Sequence, residues 1–263
     1  MDITSRTVLI AGGTSGIGLE LARQLHATGS TVVVGGRRTD LLTDLAGAGL
    51  GTVELDVTSA TSVALARDEV LATHPALDTI VTMAGVTLVE DLRDPAHVDA
   101  AERTIATNVL GTIRLIDAFT PHLVARGAGA IITVSSGIGF LPFPLAPTYG
   151  ASKAAVHSYS ESLRAQLDGT GVEVVELVPP AVATTPQHKE LNPRALDLDQ
   201  FVGEALTLLS AEPTPHEVLV ESVLAHRWAE RDGTYDDLVA QRSLSLASLP
   251  GRSAKNDPQP SSF

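Results

Sequence analysis

Six short runs rich in β-branched and other apolar residues recur along the chain: "TVLIAG" at 7–12, "TVVVGG" at 31–36, "GTVELDV" at 51–57, "DTIVTMAG" at 78–85, "GAIITVSS" at 129–136 and "VEVVELVPP" at 172–180. Longer amphipathic stretches separate them, near 16–28, 40–47, 59–73, 96–125 and 149–168. Strands that are apolar throughout, alternating with helices, predict a parallel sheet covered on both faces. The fold class is therefore α/β, a doubly wound parallel sheet. The alternation runs to about residue 180 with no Gly/Ser linker and no internal repeat, which predicts a single domain over 1–249. Within its last part, 184–198 reads as a mobile loop, 199–211 as a helix, "EVLVE" as a last strand and 234–249 as a terminal helix. The turn-rich polar end at 250–263 reads as a frayed tail.

Composition narrows the function classes. With 44% hydrophobic and 19% charged residues, the chain of 263 residues is too apolar for disorder and long enough for a sizeable core. No apolar run approaches a membrane span, and the start "MDITSRTVLIAGG" lacks the basic flank and cleavage site of a leader. A cytoplasmic location is expected. Without cysteine there is no disulfide or thiolate, and the eight histidines show no ligand spacing, so no metal is expected. A formal net charge of -13 argues against a nucleic-acid or anionic-membrane partner.

Chemistry first becomes legible after the first strand, in "AGGTSGIGLELARQLHATG", where Gly12, Gly16 and Gly18 precede an amphipathic helix. Gly12 allows a tight turn, Gly16 lets the backbone approach a pyrophosphate, and Gly18 lets the helix pack closely on the strand. The free amides and positive end of that helix suit an anion. A tight strand-to-helix turn without a ligand is the alternative. The second strand ends "VVVGGRR", with Gly36 where an acid would accept from the ribose hydroxyl of NAD, followed by Arg37 and Arg38. Guanidinium groups grip a 2′-phosphate, so NADP(H) is favoured over NAD(H), unless the arginines are simply solvated. The G-x-x-x-G-x-G spacing resembles the TGxxxGxG signature of short-chain dehydrogenases/reductases, with Ala11 in place of the threonine. The resemblance implies a Rossmann-type dinucleotide site, with Thr14, Ser15 and the Ile17 amide near phosphate or adenosine ribose.

"PTYGASKAA" places Tyr149 and Lys153 four apart, on one face of a helix, in a chain with three tyrosines and three lysines. An ammonium nearby and an oxidised nicotinamide both favour phenolate, which predicts a lowered tyrosine pKa and a proton donor or acceptor. An exposed aromatic and lysine on a surface helix is the competing reading. Ser135 and Ser136 end the fifth run, where ligands of parallel sheets bind. Ser136 precedes Tyr149 by thirteen residues, the spacing of the family's Ser–Tyr pair, so Ser136 is the substrate-orienting hydroxyl and Ser135 a turn former. Asn108 interrupts an otherwise apolar helix, where asparagine is disfavoured. The resemblance makes it the fourth catalytic residue, holding a water that links the lysine to solvent.

The same resemblance, spanning about 5–185, places Asp56 and the Val57 amide at adenine, and Ala84 and Gly85 against the nucleotide. "PPAVAT" is similar to the family's PGxVxT, with Pro180 replacing glycine, and puts Pro179, Val182 and Thr184 beside the nicotinamide carboxamide and phosphates. "TMAG" stands at 82–85 where NNAG is usual, which predicts altered local sheet bonding rather than lost chemistry. The C-terminal part is similar to the branch encoded with D-alanyl-lipoteichoic acid genes. The implied function is an NADP(H)-dependent oxidoreductase reducing a small carbonyl to an alcohol, or the reverse; the alternative is a nucleotide-sensing binding protein without turnover. Phe140, Leu141 and Phe143 either line a pocket for a hydrophobic carbonyl or pack in the interior or a subunit contact. The helices at 101–125 and 149–168 imply a homodimer or homotetramer by resemblance.

Overall fold

The structure, a computed structural model, describes residues 3–252. In chain order its first half runs β1 (Thr7–Ala11), α1 (Gly16–Ala27), β2 (Thr31–Gly36), α2 (Thr39–Gly47), β3 (Gly51–Glu54), α3 (Ala60–Thr73), β4 (Thr79–Thr82) and α4 (His97–Ile105). There follow α5 (Gly111–Arg126), β5 (Gly129–Val134), α6 (Pro147–Gln166), β6 (Val172–Leu177), β7 (Val182–Ala183), α7 (Pro186–Leu191) and β8 (Leu196–Asp197). The last part holds α8 (Leu198–Leu209), β9 (Glu217–Val218), α9 (Glu221–Arg227) and α10 (Tyr235–Ser243).

Seven strands pair in the order β3-β2-β1-β4-β5-β6-β9, all in parallel, as the apolar runs predict. Strand side chains alternate between faces. Val8 and Ile10 enter a core beneath α1 and α8 with Leu21, Leu25 and Phe201, while Leu9 and Val33 enter a second core with Leu115, Phe119 and Leu163 from α5 and α6. Both faces of the central strands are thus largely buried, which is why these runs are mainly apolar. Among the described residues no helix is long and apolar enough to cross a membrane.

Four expectations change. The predicted helix 96–125 is α4 and α5 joined through a π-turn at Ala106–Leu110, where the Gly111 amide donates to the carbonyl of Ala106, five residues back. Asn108 sits in that turn, so the residue that disagreed with helix propensity marks a real irregularity. The stretch 184–198 holds α7 and is pinned at both ends by the β7–β8 ladder, rather than being an open loop. "EVLVE" contributes two residues to the sheet before Val220 caps α9 and Glu221 opens it. The terminal helix is α10 followed by a 3₁₀ turn at Leu244–Ser248. The tail at 250–263 lies, beyond Arg252, outside the described residues.

Candidate active site

A cleft of about 630 Å³ opens at the carboxyl ends of the central strands. It is lined by Gly12, Thr14, Ser15, Ile17, Gly18, Arg37, Arg38, Asp56, Val57, Ala84, Gly85, Ser136, Tyr149, Lys153, Pro179, Val182 and Thr184. Gly16 and Asn108 do not line it: Gly16 turns the chain at φ 56°, and Asn108 is 1% exposed behind the wall. Because β2 and β5 are separated by β1 and β4, the arginine end and the serine–tyrosine end stand three strand spacings apart, roughly 14 Å.

The glycine loop needs its glycines for close approach. A Cβ on Gly12, at φ 88°, would stand 2.7 Å from the main chain of Ala84. One on Gly18 would lie within 2.4 Å of the Gly12 carbonyl. Ser15 is the N-cap residue of α1, yet its side chain does not cap the helix. Its hydroxyl, and that of Thr14, each accept from Arg38 Nη2 at 2.8 Å. The first-turn amides are therefore left for an anion in the cleft. Gly36 has a steric reason too, since a Cβ there would meet Thr14 Cγ2 at 2.6 Å. The position where an acid would stand is closed by the loop's own threonine.

Arg37 and Arg38 do different things. Arg38 is tied across the rim to the glycine loop, whereas Arg37 acts on Asp56. Burial works to raise the Asp56 carboxyl, but hydrogen bonds from the Thr58 hydroxyl and amide, helped by Arg37, hold it below its ordinary value. Asp56 Oδ1 accepts from both Thr58 groups, at 2.7 and 2.9 Å, while Ser59 caps α3.

At the other end, α6 starts at Pro147, two residues earlier than its tyrosine suggested, because proline fits the first helical turn. Lys153 is 5% exposed, and its Nζ donates to the Val134 carbonyl at 2.7 Å and lies 5.7 Å from the Tyr149 ring centroid. Burial pushes Lys153 down to about 8, against the field of Glu176. The expectation of a lowered phenol is corrected: burial raises Tyr149 above its ordinary value, and hydrogen bonds with Thr87 and Ser136 offset this only in part. Desolvation of the phenolate outweighs those bonds. The phenol keeps its proton throughout neutral pH.

Asn108 clamps the cleft wall from behind. Its Oδ1 accepts from the Val86 amide at 2.8 Å, and its Nδ2 donates to the Val86 carbonyl at 3.0 Å and to Ser152 Oγ at 3.0 Å. Ser152 Oγ in turn donates to the Tyr149 carbonyl at 2.7 Å. Both Nδ2 hydrogens are thus spent on protein groups, while Oδ1 takes one of the two bonds it can accept. A Cβ on Gly85 would sit 3.3 Å from Asn108 Oδ1 and 3.8 Å from Lys153 Nζ, so both face the same glycine.

Sequence reading missed several groups. Thr87 reaches the Tyr149 hydroxyl, and Glu90, 2% exposed, accepts from the Thr148 amide at 2.9 Å and hydroxyl at 2.7 Å at the start of α6. Ser135 also lines the cleft, its buried hydroxyl without a partner. His188 on α7 lines the cleft beside Thr184, which it meets at 2.8 Å. Of the apolar trio, Phe143 lines the cleft, Leu141 is fully buried, and Phe140 packs edge-on to His157 with ring centroids 4.7 Å apart. Thr82 stays in register with Ala11 and Thr133, its buried hydroxyl unpartnered, while Met83 lies against Gly18. Pro180 is accommodated, and the Ala181 carbonyl accepts from the Leu196 amide at 2.9 Å.

Comparison with known proteins bears on this geometry. The profile of the family described as short chain dehydrogenase matches residues 6–195. A Bacillus subtilis protein named uncharacterized oxidoreductase DltE is 36% identical over 251 residues, covering 92% of this chain and 98% of its own. The NADP-dependent 3-hydroxy acid dehydrogenase YdfG of Salmonella typhi is 35% identical over 185 residues, 68% of this chain and 73% of its own. Among solved structures, a short chain dehydrogenase from Burkholderia cenocepacia in complex with NADP superposes with TM-score 0.78 at 25% identity, covering 91% of this chain and 99% of that one.

Proposed function

The chain belongs to the short-chain dehydrogenase/reductase family and is an NAD(P)-dependent oxidoreductase, and from that premise we propose that it reduces a small carbonyl to an alcohol with NADP(H), Tyr149 being the acid. The observation that carries this is the meeting of Tyr149, Ser136 and Lys153 at one end of a cleft whose other end holds Arg37 and Arg38. The residues fit the dinucleotide: Gly12 to Gly18 offer close backbone and uncapped amides, and Asp56, Val57, Ala84 and Gly85 line the same wall. Pro179, Val182 and Thr184 line the same cleft, with Thr184 against Gly16 of the glycine loop. The chemistry supplied by the bound nicotinamide is a hydride to the carbonyl carbon.

The chain's own groups handle the oxygen. Ser136 and Tyr149 donate to the carbonyl oxygen, and Tyr149 passes it the proton; a phenol raised by burial arrives in the protonated form that reduction needs. Lys153 holds its charge below about pH 8, with Nζ 5.7 Å from the Tyr149 ring centroid, and replaces the phenol's proton with one that it regains from solvent. Asn108 acts through Val86 and Ser152, setting the wall against which Tyr149 rests. Phe143 supports an apolar substituent on the substrate. A screen for NADPH oxidation across ketones, aldehydes and sugars tests the reading. Tight NADPH binding with no turnover on any carbonyl would replace it with nucleotide sensing.

Selection of NADP(H) rests on Arg38 as much as Arg37. Arg38 spends one nitrogen on Thr14 and Ser15, which orients the guanidinium and leaves its other N–H groups for a phosphate. Arg38→Ala and Arg37→Asp are each expected to weaken NADPH binding about tenfold or more, the worth of a hydrogen bond to a charged group, with NADH affinity little changed. Fluorescence titration measures both, and an unaltered preference in both variants sinks the assignment. Pairing of two chains is part of the same reading, supported by the groove of Val109, Ile113, Ala155 and Tyr159 between α5 and α6. Sedimentation as a monomer at micromolar concentration would remove it.

A further inference from the structure

Outside the lining of the cleft, four titratable side chains gather at one spot, and one of them, Glu176, reaches Lys153 only through its field. His157 and Glu161 lie four apart on α6 and so share a helix face. Glu176 comes from β6 and Glu217 from β9, directly opposite each other in the parallel register. One donor atom from each of the four lies within 4.8 Å of all the others. Sequence spacing hides this group because it joins one helical pair to two strands far along the chain.

Glu176 is the unusual member. It is 0% exposed, its Oε2 accepts from His157 Nδ1 at 2.8 Å, and its Oε1 has no partner. A buried carboxylate oxygen without a partner is costly. Two guanidinium groups face the cluster: Arg227 holds both oxygens of Glu217, at 2.6 and 2.8 Å, and Arg164 holds Glu161 Oε1 at 2.6 Å. The buried Lys153 ammonium also lies in the field of Glu176, so charge alone does not call for an ion. The open position is Glu176 Oε1, which has no partner although His157 and both guanidinium groups are engaged nearby. A cation fills it.

We infer that His157, Glu161 and Glu176, with Glu217 as the outer carboxylate, form a binding site for a divalent transition-metal ion. One imidazole with carboxylates suits Mn²⁺ or Zn²⁺, whereas Mg²⁺ and Ca²⁺ take oxygen donors. Glu161 is exposed and can swing to close the shell, and it opens the site to solvent. An ion there ties α6 to β6 and β9. It also bears on the loop after Ser136, since Phe140 touches His157 and stacks 4.5 Å from Arg227. The site is structural, and it goes beyond the oxidoreductase reading.

Chelator-treated full-length protein titrated calorimetrically with MnCl₂, and separately with ZnCl₂, tests this. One ion per chain is expected, with Tm rising on occupancy. Glu161→Gln and His157→Gln should each weaken binding by more than about tenfold, since even outer-shell partners are worth that much. Asp236→Asn, at an exposed acid of α10, should bind as wild type does. Glu161 is on the surface, so its variant keeps the fold. No uptake at millimolar metal, or equal affinity in both ligand variants and wild type, overturns the site. The readout is binding, so it stands apart from whether any carbonyl is turned over.

Discussion

Tyr149→Phe is expected to lower the rate of carbonyl reduction by about 10² to 10⁴-fold, the contribution of positioned acid catalysis, while NADPH affinity stays nearly unchanged. The phenol is the group that both lines the cleft and meets the Ser136 hydroxyl, and its burial keeps it protonated at neutral pH. Phenylalanine retains the ring, so packing at the start of α6 survives, and Glu90 still holds Thr148 one residue earlier. What is lost is the hydroxyl, with its transferable proton and its bonds to Thr87 and Ser136. NADPH oxidation with the best ketone, beside an NADPH fluorescence titration, separates the two effects. A variant that turns over as fast as wild type would move the acid to another group.

Lys153→Met is expected to abolish turnover and also to change how stability depends on pH. Burial holds the Lys153 ammonium at about 8, below its ordinary value of 10.5. The folded chain therefore releases this proton before the unfolded chain does, and wild-type stability rises between about pH 8 and pH 10.5 on that account. Below about pH 8 the buried ammonium costs on the order of 3 kcal/mol relative to a neutral amine. Methionine has no such charge. The stability of the variant minus that of wild type should thus be greater at pH 7 than at pH 10 by about 2 to 3 kcal/mol, in urea denaturation. The bond to the Val134 carbonyl is missing from the variant at both pH values and cancels. A difference that does not move with pH would mean that Lys153 titrates as an exposed lysine does.

Much of the cleft was readable because its parts are local. Gly12, Gly16 and Gly18 follow a strand and open a helix; Tyr149 and Lys153 lie one helical turn apart; Ser136 ends an apolar run. Each reports backbone geometry through neighbours in the chain. Asn108 was legible as an anomaly, and the π-turn around it is the reason. Its contacts with Val86 and Ser152 were not, being 22 and 44 residues away.

Reading also failed where several effects compete. The lysine beside Tyr149 suggested a lowered phenol, but the sign depends on burial, which is a property of the packed site. Phe140, Leu141 and Phe143 read alike in sequence, and only the path of the chain between β5 and α6 sends Phe143 to the cleft and Leu141 inside. Arg37 and Arg38 are neighbours, yet only the second reaches Thr14 and Ser15.

By itself, the sequence determined the strand–helix alternation, the parallel sheet, the glycine loop, and the identity and spacing of the Ser–Tyr–Lys set. Most of these depend on periodicity and turn chemistry within a few residues, while the choice of Ser136 over Ser135 came from the family's thirteen-residue spacing to Tyr149. The tertiary structure alone decided that Thr87 meets the phenol, that Glu90 holds the start of α6, and that Glu176 faces His157 and Glu217. Those pairings join residues separated by tens of positions, and no local pattern encodes them. They follow from the order in which the strands enter the sheet and from the burial it imposes on each side chain.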